Sequence, residues 1–180
     1  MPACGRNLFT RIFCSVAFAL TVVIGMGALS AKAGGLDEAF PAADWKRGKS
    51  AAGISVDCVR ERCGPPAHVA YILGPAIPTM ADRIRSGAIN RDWAEKLAAS
   101  FRKSQGDEIK VLTFMVQTGQ VPGWSMLYEC NCEGTTNYVS SRIVAGAKAS
   151  MTFYSLGRTP EAAQENMNKM IVAIMGTGSR

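Results

Sequence analysis

The sequence predicts an α+β domain in which an antiparallel β-sheet of about five to six strands is packed by a middle helix and a C-terminal helix. Stretches of alternating apolar and polar residues, typical of half-buried strands, occur on both sides of a central helical segment, and a second helical segment follows the last of them. This order lacks the regular βα alternation of a parallel sheet. The length of 180 residues suits one domain and excludes a two-domain cofactor enzyme.

The N-terminal segment is typical of a secretory signal peptide. Residues 12–29 carry no charge, Arg6 and Arg11 precede them, and a small-x-small site ends at Ala33. Cleavage there would remove residues 1–33 and lower the net charge from +6 to +3. Because the apolar run approaches the roughly 20 residues that span a bilayer, an uncleaved membrane anchor is the alternative. Both alternatives place the remaining chain across a membrane, so we expect a periplasmic or secreted protein.

Residues 34–53 are predicted to form a flexible N-terminal arm, and residues 54–180 a single α+β domain. The arm contains a Gly-Gly pair, a proline and three basic residues, which disfavour a regular apolar pattern. Trp45 is the residue expected to attach this arm to the domain.

The domain begins with a predicted β-hairpin. In residues 54–58, apolar side chains alternate with Ser55 and Asp57, as in a half-buried strand. A Cys-Gly-Pro-Pro turn separates this run from residues 68–73, which form the second predicted strand.

The middle helical segment has two predicted parts. Pro78 suits the first position of a short helix. A longer helix follows Asn90, whose side chain can cap it. The apolar stripe of this longer helix consists of Trp93, Leu97 and Phe101.

Four strands and a helix are predicted to complete the domain. Residues 109–116 are apolar on both faces and are expected to form a central strand. Residues 124–132 show the clearest alternation, and residues 138–145 and 148–156 are expected to continue the sheet as a meander. Thr159 caps the last helix. The apolar stripe of that helix is predicted to pack in the core and comprises Ala163, Met167, Met170, Ile171 and Ile174.

This order of elements resembles the PsbP/Mog1-like fold, in which helices cover an antiparallel sheet. The resemblance spans about residues 54–175 and rests on element order and on the closing strand-turn-helix segment MTFYSLGRTPEAAQENMNKMI. It implies an accessory or binding role, including periplasmic members, rather than a defined catalysis. It identifies no functional residues.

Four cysteines, Cys58, Cys63, Cys130 and Cys132, lie in the predicted domain. An even number in an exported domain indicates disulfides. A bridge between Cys130 and Cys132 requires a bend, because residues i and i+2 of a strand lie about 6.6–7 Å apart. Crossed pairing of the first two cysteines with the last two closes long loops, which the chain-entropy model favours at roughly 4 kcal/mol against about 2 for a short loop. We therefore expect crossed pairing, with local pairing as the alternative.

The same cysteines support an alternative function in metal handling or thiol redox chemistry. Four thiolates, with His68 as a further ligand, would suit Zn²⁺ or Cu(I), although the spacing is not a repeated Cys-x2-Cys. A strained Cys-x-Cys bridge would exchange readily with partner thiols. Glu129 and Glu133 flank this pair and disfavour its thiolate form. The sequence thus favours structural disulfides, with neither a metal nor another cofactor.

Two surfaces are candidates for binding. One is the strand face that carries Trp124 and Tyr128, if that face is exposed. The other is formed by the basic side chains Arg83, Arg85 and Arg102 of the helical segment, which suit an acidic partner or membrane headgroups.

Catalytic motifs are missing from the sequence. His68 is the only histidine, and there is no G-x-S-x-G, P-loop or G-x-G-x-x-G sequence. The small positive charge of the exported chain gives no support for nucleic-acid binding. We therefore expect a non-catalytic accessory or binding protein of the bacterial cell envelope, with an envelope protein or a small ligand as its partner. Contact with a membrane is expected only through an uncleaved anchor.

Overall fold

A computed structural model describes residues 33–50, 53–64, 66–105, 108–119, 121–132, 135–146 and 148–176. Within these ranges, seven strands and four α-helices follow one another along the chain. They are α1 (Ala33–Ala39), β1 (Trp45–Ser50), β2 (Gly53–Cys58), a 3-10 helix (Glu61–Cys63), β3 (His68–Pro75), α2 (Pro78–Arg85), α3 (Arg91–Gln105), β4 (Glu108–Gln117), β5 (Gly123–Cys132), β6 (Thr135–Ala145), β7 (Ala149–Gly157) and α4 (Pro160–Met175). The predicted signal peptide lies outside the described residues except at Ala33.

The strands form one antiparallel sheet in the order β1-β2-β3-β7-β6-β5-β4. The hairpin of β2 and β3 therefore joins the later meander through the pairing of β3 with β7, in which Tyr71 lies opposite Phe153. The predicted α+β class and the antiparallel sheet are confirmed, with one strand more than expected.

Helices cover opposite faces of the sheet. On the side called face A here, α4 packs against α1, β3, β6 and β7. On the opposite side, face B, α3 packs against β4, and α2 contacts β5 and β6. Side chains of β7 alternate between the two faces, so Phe153 belongs to the core on face A and Leu156 to the core on face B.

The two helical layers are offset, so each face has an open part. On face A, Thr113 and Met115 of β4 are exposed. On face B, Lys46 of β1 and Asp57 of β2 are exposed. Polar side chains on the faces of the outer strands are therefore accessible to solvent.

The local end signals of the helices agree with the sequence analysis. The Asn90 side chain accepts a hydrogen bond from the Trp93 backbone N–H at 2.9 Å, and Thr159 accepts one from Ala162 at 3.2 Å. Gly176 ends α4 with a φ of 78°. The methionine-rich stripe of α4 is buried, which confirms its predicted packing role. None of the described helices is long and apolar enough to cross a membrane.

Within the predicted arm, residues 34–50 contain a helix and a strand instead of a flexible segment, which corrects the predicted boundary at residue 54. Helix α1 and strand β1 lie within this range, and β1 pairs with β2 along its whole length. Leu36, Phe40 and Trp45 are buried in the core on face A. The basic sequence of β1 hides this strand from pattern analysis, although basic side chains are common on edge strands because they block intermolecular pairing.

Strand β4 lies at the sheet edge, which corrects the prediction of a central strand. Val111 and Phe114 on face B pack in the core beneath α3, whereas Met115 on face A is 64% exposed. Apolar character on both faces of β4 therefore does not reflect burial on both faces.

Replacement of Phe40 tests whether α1 is part of the domain. Phe40→Ala is expected to lower the free energy of unfolding by about 3–5 kcal/mol, because the ring is buried and contacts Trp45 at a centroid distance of 5.0 Å. Urea unfolding of the chain without residues 1–33 measures the change. Val59→Ala, at a side chain that is 52% exposed, is the control. Equal unfolding curves for both variants would restore the description of this region as an arm.

Candidate functional site

Cys58 and Cys63 form a disulfide across the turn between β2 and β3, with a Cα–Cα distance of 5.8 Å. The 3-10 helix that contains Cys63 shortens this turn, and Gly64 ends it with a φ of 70°. The expected crossed pairing is wrong for these two cysteines, because they are bonded to each other. Four strand spacings, about 19 Å, separate β2 from β5, where Cys130 lies, and a disulfide cannot bridge that distance.

Cys130 is also disulfide-bonded and is fully buried. The side chain of Cys132 lies outside the described part of the structure, so local pairing with Cys132 stays a prediction. Bonded sulfurs of Cys58, Cys63 and Cys130 supply no thiolates. Among the described residues, no group of three or more His, Cys, Asp and Glu side chains is arranged to hold a metal ion.

His68 forms a hydrogen-bonded cluster with Asp57 and Tyr154 on face B. Its Nδ1 lies 2.5 Å from Asp57 Oδ1, and its Nε2 lies 3.1 Å from Tyr154 Oη. Both ring nitrogens therefore lie within hydrogen-bond distance of an oxygen atom, one of a carboxylate and one of a phenol. The His68 and Tyr154 rings also stack at 5.5 Å.

The tyrosines near this cluster keep their protons at neutral pH. Burial raises the pKa of Tyr154, and the charges of Asp57 and Tyr128 raise it further. Burial also raises the pKa of Tyr128. Both ring nitrogens of His68 have partners, and Tyr154 holds its proton. The cluster is therefore better described as a structural hydrogen-bond network than as an activated nucleophile.

Trp124 and Tyr128 do not form a contact surface in this structure, because the condition of exposure is not met. Both side chains belong to the core on face B. Trp124 makes an edge contact with Trp93 of α3 at 5.3 Å. The two aromatic side chains therefore belong to the core on which the helices of face B pack, and they do not form a surface.

The predicted basic surface is described only in part. Arg83 and Arg85 are exposed on α2, and Arg85 lies 3.7 Å from Asp82 in a loose ion pair. Arg102 belongs to α3, but its side chain lies outside the described residues. Trp124 and Tyr128 are buried beneath the helices, so they do not share a surface with the exposed side chains of Arg83 and Arg85.

A cleft on the open part of face A was not predicted from the sequence. It measures about 250 Å³ and lies between β4, β5 and β6 on one side and α4 on the other. Antiparallel register aligns Met115, Ser125 and Arg142 as neighbours across three strands. Gln164 and Asn168 of α4 form the opposite wall.

Arg142 is the charged residue of the cleft lining. It is half-buried, and its Nη2 donates a hydrogen bond to Gln117 Oε1 at 2.8 Å. In the neighbouring row of the sheet, Ser140 lies opposite Leu127, and its hydroxyl contacts Met167 Sδ at 3.3 Å. The cleft therefore combines one guanidinium group with uncharged hydroxyl, amide and thioether groups.

The only sequence signal for this cleft is the polar face of β6. In the segment YVSSRIVA, Ser140 and Arg142 alternate with Val139 and Ile143, so the polar pair shares one face of the strand. A buried-strand pattern with an arginine on one face indicates a position where that face is not sealed by the core.

Removal of the observed disulfide is expected to change stability. The double variant Cys58→Ser/Cys63→Ser should lower the free energy of unfolding by about 2 kcal/mol, the chain-entropy value for such a short loop. Urea unfolding of the oxidised wild-type protein provides the reference. An unchanged unfolding free energy would mean that the bridge does not stabilise the fold.

Alkaline pH is expected to destabilise the protein through its buried tyrosines. The folded-state pKa of Tyr154 exceeds its ordinary value of 10.0, so its contribution to stability is complete below pH 10 and is lost as the pH rises above it. Each such tyrosine gives a slope of about 1.4 kcal/mol per pH unit. Unfolding free energies measured from pH 9 to 11 should fall less steeply for Tyr154→Phe than for the wild-type protein. Equal slopes would exclude Tyr154 as a source of the effect.

Comparisons with known proteins show what this fold is similar to. The structure matches the solution structure of cyanobacterial PsbP (CyanoP) from Synechocystis sp. PCC 6803 with a TM-score of 0.53 and 9% sequence identity. The match covers 86% of this chain and 96% of that chain. No family model matches the sequence, and no curated protein matches it. The predicted resemblance to the PsbP-like fold is confirmed at the level of the fold.

Proposed function

We propose that this chain is an exported, non-catalytic accessory or binding protein that is braced by disulfides and binds its partner molecule in the cleft on face A. The observation that carries this proposal is the half-buried guanidinium of Arg142 in a concave, otherwise uncharged site. Ligand sites commonly combine apolar walls with a few polar groups that set orientation.

The PsbP-like fold supports an accessory role, because the resemblance to that fold implies binding rather than catalysis. The chemistry of His68 supports the same conclusion. A general base must be within reach of a substrate proton, but both ring nitrogens of His68 contact Asp57 and Tyr154.

Export is supported by the N-terminal sequence and by cysteine chemistry. The bonded pair Cys58 and Cys63 suits an oxidising compartment, since cytosolic reductants keep most thiols reduced. An apolar segment with basic residues before it supplies the export signal. We therefore place the folded domain in the periplasm or outside the cell.

Thiol redox exchange is the second candidate function, and one observation favours it. The turn that contains the bridge carries exposed Arg60 and Arg62. Cationic neighbours stabilise a thiolate after reduction, which aids exchange with another protein. Arg62 donates to Asp44, however, so part of its charge is already balanced.

Intact mass and a reductase assay together distinguish these functions. After export to a bacterial periplasm, the protein is expected to begin at Gly34 and to bind no alkylating agent in denaturant until reductant is added. It should not accelerate the reduction of insulin by dithiothreitol. The variant Cys58→Ser/Cys63→Ser is the matched control for that assay. Rapid insulin reduction that is lost in the control variant would replace the binding proposal with the redox one.

A further inference from the structure

We propose that the cleft on face A binds a small organic carboxylate and that Arg142 anchors the carboxylate group. This assignment rests on the proposed binding function and names the chemical class of its ligand. Three features of the cleft support it: the charge, the hydrogen-bonding groups and the size.

The charge of the cleft favours an anion. Arginine has five N–H donors, and the described structure shows one side-chain bond from this guanidinium, to the neutral amide of Gln117. No carboxylate among the described residues forms an ion pair with Arg142. Glu165 on α4 is paired with Lys169 at 2.8 Å. Glu129 lies four residues along β5 from Ser125, the register partner of Arg142, which corresponds to about 13 Å.

The groups around Arg142 complement a carboxylate more closely than a larger anion. Ser125 is its direct cross-strand neighbour, and Thr113 lies one row away on β4. Both hydroxyls can donate to a carboxylate oxygen, while the guanidinium binds the group through two parallel N–H bonds. Amide groups of Gln164 and Asn168 supply further donors from α4.

A polar row continues inward from the cleft. Ser140 lies opposite Ser155 in the register between β6 and β7. The Ser155 hydroxyl is fully buried and has no hydrogen-bond partner in the described part of the chain. An unpaired buried hydroxyl is energetically costly, so its position beside a cleft-lining serine is consistent with a polar site.

The size and apolar walls of the cleft restrict the ligand. A cleft of about 250 Å³ corresponds to roughly eight water molecules. Leu127 and Met115 offer apolar contacts beside the polar groups, and a thioether adapts to alkyl chains of varied shape. These features fit a carboxylate with a short alkyl body, for which hexanoate is a suitable probe.

Hexanoate binding to the exported chain tests this assignment by two-dimensional NMR. Addition of hexanoate to ¹⁵N-labelled protein is expected to shift backbone signals of β4, β5, β6 and α4, with a Kd of about millimolar for so small a ligand. The neutral analogue hexanamide and the cation hexylammonium should bind at least tenfold more weakly. Equal binding of hexanoate and hexanamide would overturn the assignment.

Arg142→Gln provides the residue-level test. This variant is expected to weaken hexanoate binding at least tenfold, because a bond to a charged group is lost. Arg85→Gln, at an exposed arginine on the opposite face, is the matched control and should bind like the wild-type protein. If Arg142→Gln unfolds, Ser125→Ala and Asn168→Leu replace it, with an expected weakening of at least threefold each. Unchanged binding in every folded cleft variant would overturn the role of the cleft.

Failure of this assignment is distinguishable from failure of the proposed function. Absence of hexanoate binding, with a bridged protein that is inactive toward insulin, overturns the carboxylate ligand and leaves the accessory role. Insulin reduction that depends on Cys58 and Cys63 overturns the accessory role, whatever the result of the titration.

Discussion

Burial of β6 and β7 on both faces is the constraint on which the rest of this structure depends. These strands lie inside the seven-stranded sheet, and their alternating side chains fill two separate cores, with Phe153 and Val144 on face A and Leu156 and Val139 on face B. A sheet that is apolar on both sides needs a helical layer on each side. Because α4 and α1 cover one face while α2 and α3 cover the other, the two layers overlap at the central strands and leave opposite outer strands open. The open regions, rather than the cores, carry the polar chemistry.

The two polar clusters of the sheet differ in how completely their groups are paired. On face B, Asp57, His68 and Tyr154 satisfy one another through both ring nitrogens of the histidine. Such a closed network stabilises a local geometry and offers little to an incoming molecule. On face A, the guanidinium of Arg142 contacts a neutral amide, and the neighbouring groups are uncharged. Transfer of a charged group out of bulk water is costly without a counter-charge. The difference favours face A as the site of binding and face B as a structural element.

Features that depend on residues close together in the sequence are predicted well, whereas features that depend on contacts between distant segments are not. Strands β2, β3, β5, β6 and β7 and helix α4 were predicted because alternation, turn residues and caps act within a few positions. Strand β1 was missed because its stability comes from pairing with β2 and from Trp45 in the core, not from an apolar pattern of its own. Apolar residues on both faces of β4 suggested a central strand, yet one face packs under α3 and the other borders solvent. The cleft combines β4, β5 and β6 with α4, so no local pattern contains it, and the polar pair Ser140 and Arg142 on β6 is its only sequence signal.

Chain entropy alone does not determine which cysteines form a disulfide in this protein. Long loops favour crossed pairing in the unfolded chain, but native distances decide which sulfurs can bond, and the sheet order keeps β2 away from β5. The bond between Cys58 and Cys63 braces the turn beside Asp44, whose carboxylate accepts from Arg62 and whose carbonyl accepts from Val59 at 2.9 Å. These contacts secure the chain immediately before β1, at the edge opposite β4. The cleft lies beyond β3 and β7 from this turn. The Cys58–Cys63 bridge and the cleft are therefore located at different ends of the sheet, so this bridge can be altered while the geometry of Arg142, Ser125 and Gln117 is retained.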